Sequence, residues 1–213
     1  CDMKSASSPP ATCHLSHLGV VILGAGASVR MGKAKLILPW RGTTVIGGIL
    51  AQWRELGAGQ IGIVLRPDDT ALAAELDRLG FSKSGRIENP QPERGMFSSI
   101  VCAANWDGWH PDISSWAIVL GDQPHLRTDT LRKLLSIHAQ NPETICQPMS
   151  GGHGAHPVIL PRSAFAGLKT SGAATLKEFL KLAAAPCVQV EMEDSGLLLD
   201  MDTPEDYKRL QSR

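Results

Sequence analysis

The chain has 213 residues, of which 43% are hydrophobic and 20% charged, and its formal net charge is zero. These proportions are ordinary for a globular domain. A nucleic-acid partner is not expected, because there is no basic stripe and aromatic residues make up only 5% of the chain. No apolar run approaches the roughly 18 residues of a membrane span, so no membrane partner is expected either.

The first 17 residues, "CDMKSASSPPATCHLSH", are small, polar and proline-containing. Such a composition predicts a flexible N-terminal tail, followed by a single domain over residues 18–213. The five cysteines are odd in number, scattered, and form no C-x-x-C pair. This pattern disfavours a disulfide framework and favours the reducing cytoplasm as the location of the protein.

Apolar runs and helical patterns alternate beyond the tail. In chain order, the pattern predicts a strand (18–23), a helix (43–56), a strand (60–65), two helices (68–80 and 95–106), a strand (115–122), a helix (128–140), two strands (144–149 and 156–161), a helix (173–185), two strands (187–192 and 197–201) and a helix from Pro204. Repeated strand–helix units predict an α/β fold with a mainly parallel sheet flanked by helices. The denser strand pattern after residue 144 indicates that antiparallel strands are mixed in.

The segment "GAGASVRMGKAK" (24–35) follows the first predicted strand. Glycines let the backbone approach a ligand closely, and exposed amides at such a turn suit phosphate oxygens. The segment fails the Walker A spacing and has Ala34 after its Gly-Lys pair; Val29 holds the third glycine position of the dinucleotide fingerprint. A phosphate loop remains, in which Arg30 can bind phosphate bidentately and Lys35 is a point charge. A tight turn with solvent-facing bases is the structural alternative.

Carboxylates follow two apolar runs. Asp122 ends the strand predicted over 115–122, Asp200 lies near the end of the strand predicted over 197–201, and Asp202 directly follows that strand. In an extended strand Asp200 and Asp202 share a face, because side chains alternate. Phosphate chemistry usually needs Mg²⁺, which takes one or two carboxylates. For Asp202 or Thr203, capping of the helix from Pro204 is an equally good interpretation.

Three further polar side chains are candidates for binding an acceptor. Ser98 and Ser99 fall near a predicted helix start, where hydroxyls meet anions or cap the helix. His156 precedes a predicted strand and either faces a ligand or is an ordinary half-buried histidine. His125, after the "GDQP" turn, has no better claim.

These stretches together resemble the MobA-like nucleotidyltransferases, and within them the molybdenum cofactor cytidylyltransferases. "LGAGASVRMGKAKLILPW" is similar to the signature "LAAGxSxRMGxxKxLLPW". Four further stretches match in the family's order: "NPQPERGMFSSI", "GDQPHL", "GAHPVILP" and "LDMDTPEDY". The matches span nearly all of the chain beyond residue 17.

The resemblance implies a Rossmann-related, GT-A-like nucleotidyltransferase fold and transfer of a nucleotidyl group from an NTP to a phosphorylated acceptor, with release of pyrophosphate. It implies catalytic roles for Arg30, Lys35 and Asp122, and Mg²⁺ ligation by Asp122 and Asp202. The implied nucleotide-binding residues are Leu23, Gly24, Ala25, Gly26, Arg30 and Lys35.

Within the family, three features of this sequence favour CTP as the nucleotide. The resemblance also implies a phosphorylated pterin as the acceptor and a molybdoenzyme as a further partner. Ala25 stands where the guanylyl branch has the first glycine of its pair, Asp202 stands where that branch tends to carry Asn, and "GAHP" is similar to the cytidylyl branch. Gly24 departs from the cytidylyl pattern, which has Ala there. Guanylyl transfer and sugar-phosphate substrates stay open on the same fold, as does a non-catalytic partner that delivers the cofactor to a molybdoenzyme.

Overall fold

The computed structural model describes residues 15–26 and 34–212. Its main sheet has eight strands, seven of them in the order β10-β7-β9-β6-β1-β4-β5, with β8 paired to β7. The strands are β1 (Leu18–Leu23), β4 (Gln60–Leu65), β5 (Arg86–Glu88), β6 (Ser115–Leu120), β7 (Ile145–Ser150), β8 (His153–Gly154), β9 (Val158–Pro161) and β10 (Cys187–Glu191). A separate hairpin pairs β2 (Pro39–Trp40) with β3 (Thr43–Thr44).

The sheet is mostly parallel on one side and mixed on the other. Strand β1 pairs in parallel with both β4 and β6, and β4 pairs in parallel with β5. Strand β9 runs antiparallel to β6 and β7, whereas β10 is parallel to β7. The predicted fold class is confirmed, including the antiparallel strands after residue 144.

Helices cover both faces of this sheet. They are α1 (Val45–Glu55), α2 (Thr70–Arg78), α3 (Met96–Asn105), α4 (Thr128–Gln140), α5 (Arg162–Gly167), α6 (Leu176–Leu182) and α7 (Pro204–Gln211). Buried residues of α1, α2, α4 and α7 pack on one face of β1 with Val20 and Ile22. On the other face, Val21 packs with residues of α3, α5 and α6. The alternation along β1 is what a strand covered on both sides requires.

The order of the strands reverses at β1. The chain continues from β1 to β4 and β5 on one side, and then returns to place β6 on the other side. In open α/β sheets, ligands bind outside the carboxyl ends of the strands at such a reversal. The topology therefore directs attention to the ends of β1 and β6.

The strand predicted over 197–201 is wrong. A 3-10 turn over Ser195–Leu198 occupies this part of the chain, because the Asp194 carboxylate accepts a hydrogen bond from the Gly196 amide at 2.9 Å and caps the turn. The helix predicted over 173–185 is also too long, since α6 spans only Leu176–Leu182, starting at the Thr175 cap. The helix predicted over 43–56 begins only at Val45, because Thr43–Thr44 form β3, and the short elements β2, β5, β8 and α5 had no prediction.

The domain boundaries stay a prediction. Of the predicted tail, residues 1–14 lie outside the described residues, and Leu15–His17 form a 3-10 turn that leads into β1. The amide of Ser114 donates to the His17 carbonyl at 2.9 Å. Within the described ranges, no helix has the length and apolar character needed to cross a membrane.

Candidate functional site

The carboxyl ends of β1, β4 and β6 are tied to one another by backbone hydrogen bonds. The amide of Gly24 donates to the carbonyl of Val64 at 2.7 Å, and the amide of Gly121 donates to the carbonyl of Leu23 at 3.2 Å. The Gly24 amide is thus engaged by the sheet. Phosphate binding by the amides of this turn remains a prediction for Ala25 and Gly26.

Close packing, rather than an unusual backbone angle, explains two glycines at this edge. A Cβ atom at Gly24 would lie 2.9 Å from the Val64 carbonyl oxygen, and one at Gly121 would lie 2.6 Å from the Leu23 carbonyl oxygen. Neither glycine is among the residues with positive φ. The strand ends meet closely because these two residues carry no side chain.

Lys35 reaches this edge from a 3-10 turn over Lys35–Ile37. The next residue, Leu36, is buried in the core and fixes the turn. The Lys35 ammonium donates to Asp202 Oδ1 at 2.6 Å and lies 3.5 Å from Asp122 Oδ2. Lys35 is thereby brought together with Asp122 and Asp202, which lie 87 and 167 positions further along the chain.

Asp122 follows β6 by two residues, and its side chain is about a quarter exposed, at 26%. Burial raises the pKa of its carboxyl group, and the nearby charge of Asp200 raises it further, while Lys35 opposes the shift. Holding an ionised carboxylate here costs free energy unless a cation is close. Lys35 offsets this cost only in part, since the pKa stays raised.

Capping of α7 belongs to Thr203 and not to Asp202. The Thr203 hydroxyl accepts from the Asp206 amide at 3.1 Å, and the Asp206 carboxylate accepts in return from the Thr203 amide at 3.0 Å, which completes a capping box. This leaves the Asp202 carboxylate available for its contact with Lys35. Capping is therefore the role of Thr203, and metal binding by Asp202 stays a prediction.

Asp200 lies near Asp122 and Asp202, but for a different reason from the one that the sequence suggested. It does not share a strand face with Asp202, because the segment is not a strand. Its carboxylate instead accepts from the buried amide of Gln123 at 3.1 Å. Three acids, Asp122, Asp200 and Asp202, therefore approach the same edge.

A cleft of about 550 Å³ opens beside these residues. Leu23, Ala25, Gly26, Lys35 and Asp122 line it, as do Ser99 and Asp200. Most of the predicted nucleotide-binding residues that the structure describes thus border one cavity. Arg30 belongs to residues 27–33, which lie outside the described residues, so its role stays a prediction.

Two charged side chains of the cleft had no prediction. Arg66 follows β4 and pairs with Asp68 through two hydrogen bonds of 3.0 and 3.1 Å, and Glu93 precedes α3. The signal for Arg66 was its position directly after an apolar strand. The run "RPDD" is also typical of a surface turn, so the sequence alone does not distinguish Arg66 from an ordinary turn residue.

The first turn of α3 forms another wall of the cleft. Buried Asn89 donates from Nδ2 to the hydroxyls of Ser98 and Ser99 at 2.8 and 2.9 Å. The Ser98 hydroxyl in turn donates to the carbonyl of Gly95 at 2.7 Å and does not cap α3. Only Ser99 of the two serines lines the cleft. Asn89 organises this wall, and a search for helix starts in the sequence does not reveal it because Asn89 precedes α3 by seven residues.

His156 lies at a second cavity, of about 570 Å³, next to the first. Its Nδ1 lies 3.2 Å from the carbonyl oxygen of Ile118, and burial lowers the pKa of its imidazole. Met96 borders both cavities. His125 instead contacts the carbonyl of Gly196 through Nε2 at 2.9 Å and supports the 3-10 turn before Asp200.

The acid pair has the chemistry that Mg²⁺ prefers. The described residues contain no cluster of three or more His, Cys, Asp or Glu side chains suited to a metal. Mg²⁺, however, commonly binds through one or two carboxylates together with substrate phosphates and water. A buried ammonium already stands between Asp122 and Asp202, so this position favours a cation.

An ammonium and paired carboxylates thus lie at the switch point of a mostly parallel sheet, which is where such sheets bind ligands. A family model described as the MobA-like NTP transferase domain matches residues 20–188. The chain belongs to this family and is a nucleotidyltransferase.

Individual relatives extend over nearly the whole chain. It is 25% identical to the molybdenum cofactor cytidylyltransferase of Escherichia coli (strain K12) over 196 residues, covering 91% of this chain and 95% of that protein. It is 29% identical to the purine catabolism protein PucB of Bacillus subtilis (strain 168) over 203 residues, covering 88% and 92%.

Solved structures show the same fold. Rv0371c from Mycobacterium tuberculosis H37Rv matches with a TM-score of 0.73 at 26% identity, covering 92% of this chain and 99% of that chain. A structure of Rv0371c in complex with manganese matches with a TM-score of 0.67 at 25% identity, covering 92% and 98%.

Proposed function

We propose that this protein transfers CMP from CTP to the phosphate of molybdenum-bound molybdopterin and releases pyrophosphate. The observation that carries the proposal is the meeting of Lys35, Asp122 and Asp202 beside a cleft at the switch point of the sheet. Similarity to the Escherichia coli cytidylyltransferase along both chains supports the base and the acceptor. Ala25 and Asp202 support CTP over GTP by the resemblance described above.

In this reaction an oxygen of the acceptor phosphate attacks the α-phosphorus of CTP. The bond from the α-phosphorus to the α,β-bridging oxygen breaks, and that oxygen leaves with pyrophosphate. A phosphate monoester is a competent nucleophile near neutral pH, so no general base is required. The chain's own contribution is positioning and charge stabilisation.

Lys35 and Arg30 are proposed to bind the triphosphate and to neutralise charge on the departing pyrophosphate. Asp122 and Asp202 would hold Mg²⁺. Bound there, the ion would stabilise negative charge on phosphoryl oxygens. Removing one such stabilising contact commonly costs on the order of 10²–10³ in kcat.

The second cavity is the proposed acceptor site. Lys177 and Lys181 of α6 line it together with His156, and the rest of its wall is a mixture of neutral polar and apolar side chains. Such a lining suits an acceptor that carries phosphate and a polar ring system. Because Met96 borders both cavities, an acceptor phosphate here can approach a nucleotide in the first one.

Pyrophosphate release with each of the four common NTPs, molybdopterin or molybdenum cofactor, and Mg²⁺ tests the reaction. CTP should give the highest rate. Equal or faster release with GTP would refute the cytidylyl assignment, and product formed from a sugar phosphate would identify the other acceptor class. If none of the four NTPs supports pyrophosphate release, the non-catalytic delivery partner is favoured.

Charge reversal at the second cavity tests the acceptor site. Lys177→Glu with Lys181→Glu should raise KM for the acceptor and leave KM for CTP unchanged. Lys169→Glu, on an exposed 3-10 turn outside the cavity, is the matched control. An unchanged acceptor KM in the double variant would place the acceptor elsewhere.

A further inference from the structure

The Lys35 ammonium occupies the position between two carboxylates that a divalent cation would take. It lies 2.6 Å from Asp202 Oδ1 and 3.5 Å from Asp122 Oδ2. Its side chain is 11% exposed, against 26% and 28% for the two acids, so the cation is the most buried of the three groups. Lys35 is therefore an internal partner of the acid pair and not a surface charge near it.

An ammonium and a divalent cation compete for this position. Mg²⁺ requires carboxylate oxygens at about 2.0–2.1 Å in near-octahedral geometry. Asp202 Oδ1 is already engaged by the ammonium. Two positive charges between the same carboxylates also repel each other strongly in a partly buried site. A metal ion can therefore bind well only after the ammonium has moved.

The lysine side chain is able to make that movement. Its backbone is held by the turn over Lys35–Ile37 and by buried Leu36, while its ammonium sits at the end of a flexible four-carbon stem. Lys35 lines the cleft that adjoins the acids. A triphosphate in this cleft would offer the ammonium several negatively charged oxygens in place of the two carboxylates.

We propose that Lys35 is a built-in counter-ion that excludes divalent metal from Asp122 and Asp202 until a triphosphate draws its ammonium away. The proposal rests on the proposed function, since it assumes that this cleft binds the triphosphate and that these acids bind the metal. The free protein then binds divalent ions weakly, and nucleotide and metal enter as a coupled pair. By linkage, nucleotide and metal raise each other's affinity by the same factor.

Mn²⁺ binding to the nucleotide-free protein, measured by electron paramagnetic resonance of the unbound ion, tests this proposal. Lys35→Met removes the charge but keeps an unbranched side chain, and it should bind Mn²⁺ at least about tenfold more tightly than the native protein. Lys35→Gln is a second neutral variant. Lys35→Arg keeps the charge, and Lys133→Met removes an exposed charge of α4; both should stay within about twofold of the native protein.

Thermal unfolding with and without Mn²⁺ supplies a second readout on the same variants. Mn²⁺ should raise the melting temperature of the neutral variants more than that of the native protein, because only ions that bind the folded state stabilise it. Equal or weaker Mn²⁺ binding by both neutral variants would overturn the proposal.

The outcomes separate this proposal from the proposed function. Tight Mn²⁺ binding by the native protein that is unchanged in Lys35→Met and lost in Asp122→Asn would leave the metal site standing and refute the counter-ion. Absence of Mn²⁺ binding in every variant would overturn both the counter-ion and the metal site. The pyrophosphate assay with CTP would then decide the proposed function independently.

Discussion

Gly121→Ala is the sharpest test of how the sheet positions the acid pair. The added Cβ would lie 2.6 Å from the Leu23 carbonyl oxygen and 2.9 Å from Leu36 Cδ2. The first neighbour is backbone of β1, which cannot turn aside as a side-chain end can. The chain must therefore open between the ends of β1 and β6, and Asp122 is the next residue.

The size of the effect follows from this geometry. Inserting a methyl group into a packed site typically costs about 1–3 kcal/mol. For a chain of this size each kcal/mol lowers the melting temperature by about 2–4 °C, so we expect a loss of roughly 2–12 °C. A 1 Å misplacement of a reacting group costs ~10²-fold in rate, and a shift of a few tenths of an ångström should lower kcat roughly three- to tenfold.

Circular dichroism melting and pyrophosphate release with CTP would measure the two effects. Gly172→Ala is the control, because a Cβ there meets nothing within 4 Å and the residue lies outside the cleft. Gly121→Ala with the native melting temperature and native kcat would show that the strand ends do not meet as closely as the structure has them. A stability loss with native kcat would refute only the link to Asp122.

Three more substitutions test the supports of the cleft. Asn89→Ala leaves the hydroxyls of Ser98 and Ser99 without their shared donor, and we expect a loss of about 1–3 kcal/mol and a higher KM for CTP, measured by urea unfolding and initial rates. Thr203→Ala removes the capping box of α7 and should cost about 1 kcal/mol, while Thr203→Ser should restore it; equal stability of the two would contradict the cap. Arg66→Met should raise KM for CTP with little change in kcat, and the opposite pattern would mean that Arg66 acts in the transition state.

The elements predicted well are those whose pattern is decided locally. The strands over 18–23 and 60–65 and the helix over 128–140 agree with the structure to the residue, because an unbroken buried run or a regular amphipathic period has one good solution. The run over 197–201 is also apolar, yet the local hydrogen bond from the Gly196 amide to Asp194 makes it a turn. The preceding Asp-Ser-Gly is the signal that outweighs apolar character there.

The candidate site shows what a sequence cannot supply. Asp122 and Asp202 could be proposed from their positions after apolar runs, and Lys35 from its resemblance to a family position. That Lys35 stands between the two acids depends on contacts across 87 and 167 residues of chain, which no local pattern encodes. The same holds for the contacts of Asn89 with the hydroxyls of Ser98 and Ser99, which lie nine and ten residues further along the chain.

Substituting Asp122 and substituting Asp202 should have different effects on the stability of the protein, even though both substitutions should lower turnover. Asp122→Asn and Asp202→Asn should both lose most metal-dependent turnover if the two acids bind the metal as proposed. Because burial and Asp200 raise the pKa of Asp122, the folded state disfavours its charged form. Because its pKa is higher in the folded state, this carboxyl group holds its proton to a higher pH there than in the unfolded chain. The stability of the protein therefore falls as the pH rises through the folded-state pKa of Asp122. Asp122→Asn removes that loss.

Asp122→Asn should therefore unfold at the native temperature or above it at pH 8, and its advantage should shrink as the pH is lowered toward the range in which Asp122 is protonated. Asp202→Asn should be less stable than the native protein, because it removes the 2.6 Å partner of a buried ammonium. The loss in free energy of unfolding should be intermediate. An exposed ion pair contributes about 0–1 kcal/mol, and breaking a buried one costs about 3–5 kcal/mol. Melting curves of both variants from pH 5 to pH 8, beside turnover at pH 7, would measure this. Equal destabilisation by the two substitutions at every pH would mean that Lys35 neutralises both acids alike, and that the burial of Asp122 carries no separate cost.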